Sequence, residues 1–143
     1  MLVGNMGHLL KAQGKLDLAE PFTRRDLEGS DRTLGRDHQH TLASVSNMGL
    51  LLRDQGKFDL AEPFLRRALE GRERTLGRDH PNTLAAVGNL GALLQAQGKL
   101  DLAEHFLRRA LEGYERALGR DHPNTLALDS ILRIMLKAMT KEK

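Results

Sequence analysis

From Pro81 to Gln97, apolar side chains at Leu84, Val87, Leu90, Leu93 and Leu94 return every three or four positions, the period of a helix with a buried face. Pro81 suits a first-turn position and Gly98 a stop, so this segment is expected to be one helix, termed helix A. After a turn at Gly98 and Lys99, the residues Leu100, Ala103, Phe106, Leu107, Ala110, Leu111 and Leu118 trace a second stripe, termed helix B. Asp101 near its start and Arg108, Arg109 and Arg116 further along agree in sign with the helix dipole. Pro21 and Pro63 are expected in the first turn or so of their B helices, where a proline removes few hydrogen bonds; His105 stands at the third equivalent position. A connection of about two residues forces helices A and B to run antiparallel.

This pattern is one copy of a repeat. Gln-Gly-Lys occurs at 13–15, 55–57 and 97–99, and Leu-Gly-Arg-Asp-His begins at Leu34, Leu76 and Leu118, a spacing of 42 in both cases. Residues 3–44 and 45–86 agree at about 30 of 42 positions, and the next pair of copies at about 32. A helical hairpin cannot bury both of its stripes alone, so each copy must stack on its neighbours. Small residues at the crossing points agree with close helix approach: Gly7, Gly49 and Gly91 in the A helices, and Ala61, Ala68, Ala103 and Ala110 in the B helices. Glycine within a helix costs about 1 kcal/mol relative to alanine, and tight packing is a reason to keep it.

The expected architecture is a single all-α array over residues 1–143, a right-handed solenoid of antiparallel helix pairs with about seven helices. Repeat 1 covers residues 1–36 with a truncated helix A, repeat 2 covers 37–78, repeat 3 covers 79–120, and 121–143 form a C-terminal capping helix. In that last helix Ile131 replaces the repeat asparagine and Arg133 the repeat glycine. Because the first helix A lacks the segment that precedes the others, the chain is expected to be a piece or an end of a longer protein.

Asn47-Met48-Gly49, Gln55-Gly56-Lys57-Phe58, Ala61-Glu62, Arg67-Ala68-Leu69-Glu70 and Leu76-Gly77-Arg78-Asp79-His80-Pro81 together resemble the tetratricopeptide repeat. More narrowly they resemble the long, 42-residue form found in kinesin light chains and nephrocystin-3-like proteins. The resemblance covers essentially the whole chain. It implies a non-catalytic scaffold or adaptor that binds a peptide or protein segment on the concave face of its A helices.

On that face the resemblance places the recurring Asn5, Asn47 and Asn89, whose amides can both donate to and accept from a peptide backbone. A mid-helix asparagine is a poor helix former, so its side chain needs a partner; that partner is a bound peptide, a neighbouring helix, or both. The matching groove positions are Gly4, His8 and Lys11, then Ser46, Leu50 and Arg53, then Gly88, Ala92 and Gln95. These vary between copies while the packing positions do not. His8, Lys11 and Arg53 give the groove a basic end, for which an acidic or carboxylate-bearing peptide is the natural complement.

Composition narrows the alternatives. The chain has no cysteine, so it has no disulfide and no thiolate nucleophile, and with 3% aromatic residues it has little for stacking bases or enclosing a cofactor. The net charge of +3 does not by itself imply nucleic acid. The arginine pairs at 24–25, 66–67 and 108–109 could track phosphates, but Glu20, Glu62 and Glu104 precede Arg24, Arg66 and Arg108 by four residues, the favourable orientation for a helical ion pair. A neutralised, solvated face is therefore expected, with a nucleic-acid-binding helical array that uses the arginine stripe as the less favoured alternative. Asp37, His38 and His40 are the one local grouping with metal-like spacing, yet His38, His80 and His122 are simply the residues that precede each helix A. No metal, cofactor or catalytic constellation is expected. No apolar run is long enough to cross a membrane and no export signal stands at the start, so a cytoplasmic location is expected. Self-association, by end-to-end stacking through the truncated N-terminal end or by helix exchange between copies, is the alternative mode of action.

Overall fold

The computed structural model describes Met6, Gly7, Leu9 and residues 14–141 of the 143-residue chain. Among the described residues there are six full helices and no strand. They are α1 (Leu16–Thr33), α2 (Gln39–Asp54), α3 (Phe58–Leu76), α4 (Pro81–Ala96), α5 (Leu100–Leu118) and α6 (Pro123–Lys141). Met6, Gly7 and Leu9 are helical as well. The expected helix types therefore alternate, with α2, α4 and α6 as A helices and α1, α3 and α5 as B helices. The chain divides into two compact units, Met1–Gly71 and Arg72–Lys143.

The turn from helix A to helix B shows why Gln-Gly-Lys recurs. At the end of α2 the Gly56 amide donates to the Arg53 carbonyl at 2.9 Å and the Lys57 amide to the Leu52 carbonyl at 2.8 Å. These two bonds close the last carbonyls of the helix in a Schellman motif, which requires a left-handed residue. Gly56 supplies it with φ +80°, and Gly98 does the same after α4 with φ +79°. A side chain at either position would strain the backbone.

The A helices begin on a cap that histidine provides. His38 Nδ1 accepts from the His40 amide at 3.1 Å, His80 Nδ1 from the Asn82 amide at 3.0 Å, and His122 Nδ1 from the Asn124 amide at 3.1 Å. Each ring satisfies one of the amides that a helix start leaves without an intrahelical partner. Beyond each cap, Thr41, Thr83 and Thr125 are buried. Thr83 Oγ1 donates to the Gly77 carbonyl at 2.7 Å, with the Arg72 carbonyl 3.3 Å away, tying the start of α4 to the end of α3.

In the first unit, α2 lies between α1 and α3. Leu42, Val45, Met48, Leu51 and Leu52 are buried on it, and Leu65 and Ala68 on α3. Several interior glycines, though not Gly29 or Gly88, sit where a neighbouring side chain leaves no room for a methyl group. A methyl group at Gly49 would lie 2.6 Å from Leu65 Cδ2, one at Gly7 would lie 2.8 Å from Thr23 Oγ1, and one at Gly71 would overlap Leu42 Cδ2. The second unit repeats the arrangement. Leu84, Val87, Leu90, Leu93 and Leu94 of α4 pack with Leu107 and Ala110 of α5, and Leu128, Leu132 and Met135 of α6 are buried where α6 packs on α5. A methyl group at Gly91 would lie 2.9 Å from Leu107 Cδ2, and one at Gly113 would overlap Leu84 Cδ2.

One placement differs from expectation. Pro21 and Pro63 lie inside α1 and α3, in the second turn rather than the first. Each forgoes one hydrogen bond there on an exposed side of its helix, where water can satisfy the freed carbonyl.

Candidate partner-binding face

Of the predicted groove residues, Asn5, His8 and Lys11 lie outside the described residues, as does Gly4. On α2 the residues Asn47, Leu50 and Arg53 fall three apart on one side of the helix, and all three are half-buried. On α4 the equivalent Asn89, Ala92 and Gln95 are likewise half-buried. α2 and α4 thus each present a narrow strip of intermediate exposure beside their packed faces. The strip is polar and basic on α2 and small and neutral on α4.

Ser46 does not belong to that strip. It is 7% exposed, and its hydroxyl is buried without a hydrogen-bond partner. The equivalent position in the second unit explains why: a methyl group at Gly88 would point at Leu128 Cδ2, 3.6 Å away, and at Ala110 Cβ, 3.9 Å away. Residues of this register lie beside a neighbouring helix, so Ser46 is buried next to the strip and not open on it.

The charge of the face is also lower than the residue types suggest. Arg53 donates through Nε at 3.2 Å and Nη2 at 3.0 Å to Asp54 Oδ1, so the one described basic residue of the predicted groove already holds a carboxylate. A solvent-accessible pair of this kind contributes little to stability.

On α6 the same register reads Ile131, Ile134 and Lys137 in place of Asn89, Ala92 and Gln95. Ile134 is 67% exposed, and Arg133, Ile134, Leu136 and Lys137 line an open hollow of about 380 Å³. The loss of the asparagine at Ile131 was visible in the sequence, but the hollow required the helix in place.

The arginine pairs divide by role. Arg66 donates to Glu62 at 2.9 Å and Arg108 to Glu104 at 2.8 Å, the four-residue pairs that the spacing predicts. Glu20 reaches Lys57 at 3.8 Å. The second arginine of each later pair turns towards the B helix before it. Arg67 holds Asp31 through both terminal guanidinium nitrogens, Nη2 at 2.5 Å and Nη1 at 3.3 Å, and Arg109 Nη1 donates to Glu73 at 3.4 Å. These four arginines each face a carboxylate, which lowers the net positive charge of the stripe on α3 and α5.

Two side chains that the repeat pattern does not mark flank the start of α4. Arg72 Nη1 donates to the Asn82 carbonyl at 3.2 Å, and burial pulls its guanidinium below the usual arginine value. Tyr114 Oη donates to the Pro81 carbonyl at 3.4 Å, and burial pushes its hydroxyl above the usual tyrosine value. The metal-like grouping also resolves into structural contacts, with His38 capping α2 and His40 Nε2 lying 3.3 Å from Asp26 Oδ1. Among the described residues no group of three or more histidine, aspartate or glutamate side chains is placed to hold a metal ion. No described helix is long and apolar enough to cross a membrane.

Comparison with known proteins agrees with this geometry. The tetratricopeptide repeat family model matches residues 1–74, 41–116 and 85–128. Among solved structures, the nearly identical TPR-like repeats of a kinesin light chain candidate from Podosopora anserina superpose with a TM-score of 0.88 at 22% identity, over 96% of this chain and 65% of that one. A form of the same repeats with methionine in place of one glutamine gives 0.86 at 21% identity, over 93% and 63%. BtubC (BKLC) from P. vanneervenii gives 0.73 at 20% identity, over 96% and 63%. At these identities the likeness concerns the fold, and this chain spans less than two thirds of each solved chain. No curated protein matches the chain in a sequence search.

Proposed function

The chain belongs to the tetratricopeptide repeat family, and from that premise we propose that it is a non-catalytic protein-interaction module, a kinesin-light-chain-like adaptor that holds an extended partner segment on its A helices. The observation that carries this reading is the strip of half-buried residues on α2 and α4, Asn47, Leu50 and Arg53 and then Asn89, Ala92 and Gln95. Within each helix the packing positions hold to the repeat while the positions beside the asparagine change. A constant scaffold with a variable, partly open face is what a recognition surface requires.

The asparagines bind the partner's backbone, and the residues beside them choose its side chains. Leu50 offers an apolar contact, Ala92 leaves room for a larger side chain, and Arg53 takes a carboxylate in exchange for Asp54. An acidic or carboxylate-bearing segment is therefore the preferred partner, with its acidic group over α2. The test is a peptide-display screen of the native chain beside an Asn47→Ala, Asn89→Ala variant of equal helical content. Peptides captured by the native chain and lost by the variant support the reading. Capture that survives the double change refutes the role of the asparagines.

A further inference from the structure

The near-identity of the repeats creates a pairing problem. The repeats agree at about 30 of 42 positions, and although α2 and α4 agree at only 8 of their 16 residues, these include the packed Leu42/Leu84, Val45/Val87, Gly49/Gly91, Leu51/Leu93 and Leu52/Leu94, so the two A helices offer a similar packing face, in the same chain or in a second copy. Something must tell them apart, and one cluster in the first unit departs from the repeat at three places at once. Asp26 stands where later repeats have Ala68 and Ala110, His40 where they have Asn82 and Asn124, and Ser44 where they have Ala86 and Leu128.

In the structure these three departures meet. Ser44 Oγ donates to Asp26 Oδ2 at 2.5 Å, and His40 Nε2 lies 3.3 Å from Asp26 Oδ1, placed to donate. The Asp26 side chain is 12% exposed and Ser44 is 1% exposed, so the carboxylate depends on these donors in place of water. The arrangement is not a hydrolytic triad. The serine gives its proton to the aspartate instead of the histidine, and its oxygen is closed to solvent.

We propose that Asp26, His40 and Ser44 form a register key that binds α1 to α2 and rejects helices of the α4 type, in the same chain or in a second copy. Against a helix with the α4 sequence, Asp26 would meet Ala86, which has no donor, and Asn82, whose amide ends short of the point that His40 Nε2 reaches. A carboxylate would then be buried without its partners, a far larger loss than the key's own net contribution when correctly formed. In the opposite mismatch, a B helix carrying alanine at this position would leave the Ser44 hydroxyl unpaired. The key thus acts against out-of-register pairing of α1 with an α4-type helix, in the same chain or in a second copy, a failure to which arrays of like repeats are prone; exchange of α1 onto the identical α2 of a second copy keeps all three contacts and is not opposed.

The test replaces the key by the residues of the later repeats: Asp26→Ala, His40→Asn and Ser44→Ala together, in the full chain. Native and variant chains are unfolded in urea and refolded by dilution at low and high chain concentration. Helical content is read by circular dichroism and molar mass by light scattering after size exclusion. We expect both chains to regain their helices and the native chain to return as one species. The variant should show higher-mass, mispaired species that grow with concentration, raising the ratio of mispaired to correctly paired chains roughly tenfold to a hundredfold. A variant that refolds to the native distribution overturns the proposal, as does a native chain that forms the higher-mass species just as readily. Loss of helix in the variant also overturns it, because the cluster would then be needed for stability and not for choosing the partner helix.

Discussion

Two glycines three residues apart on α4 should respond to the same substitution with opposite signs. At Gly88 an added methyl group meets Leu128 Cδ2 at 3.6 Å and Ala110 Cβ at 3.9 Å, ordinary van der Waals contact. Gly88→Ala therefore gains helix propensity without a clash and should stabilise the protein by up to about 1 kcal/mol. At Gly91 the methyl group would lie 2.9 Å from both Cγ and Cδ2 of Leu107 and 3.3 Å from the Leu107 amide nitrogen. Leu107 is fully buried, so it cannot swing away, and α5 must retreat from α4. Overpacking of this kind costs about 1–3 kcal/mol, which the gain of about 1 kcal/mol in propensity offsets only in part. Gly91→Ala should thus destabilise by about 1 kcal/mol, a fall of roughly half a molar in the urea midpoint, while Gly88→Ala raises the midpoint. Urea titration followed by circular dichroism measures both. Equal shifts in the same direction would refute the claim that the repeat glycine is kept for close approach of helices A and B.

Three other perturbations test separate contacts. His80→Ala should lower stability by about 1 kcal/mol through loss of the α4 cap while His80→Asn should not, since asparagine accepts from the same amide; thermal unfolding of the two variants compares them. Asp31→Ala should cost about 1–3 kcal/mol in urea unfolding, because it leaves Arg67, 17% exposed, without its carboxylate, whereas Glu62→Ala should cost less than about 1 kcal/mol beside the more exposed Arg66. Burial raises the pKa of Tyr114, so the folded state keeps the phenolic proton longer than the unfolded chain does. That contribution is complete below the ordinary tyrosine value of about 10 and is lost as pH rises through the raised value, so stability should fall above about pH 10 and fall less in Tyr114→Phe. Tyr114 is the chain's single tyrosine, so phenolate absorbance reports its titration directly.

The fold was legible in the sequence because its punctuation is local. Gly56 and Gly98 stand where a helix end needs positive φ, Pro81 stands at a first helical position, and the apolar stripes of α4 and α5 keep the helical period. What depends on three dimensions was not. Histidine is not among the usual helix caps, so His38, His80 and His122 read as residues before a helix and not as acceptors for it. Ser46 lies beside Asn47 and varies between copies as a groove residue would, but one residue turns a helix by about 100°, enough to move its hydroxyl from the open strip into a packed face. The pairing of Arg67 with Asp31 joins two helices of different repeats, and no spacing within one helix reveals it. Likewise Asp26, His40 and Ser44 looked like three unrelated departures until α1 and α2 were placed side by side.

The central claim is that the A-helix strips, and not the B helices, receive the partner. The most direct measurement is a residue-resolved NMR titration of the isotope-labelled chain with a peptide captured in the display screen. The account predicts the largest shifts at Asn47, Leu50 and Arg53 of α2 and at Asn89, Ala92 and Gln95 of α4, with the side-chain amides of the two asparagines among them. Shifts centred instead on the exposed Leu18, Leu60 and Leu102 of the B helices would contradict it.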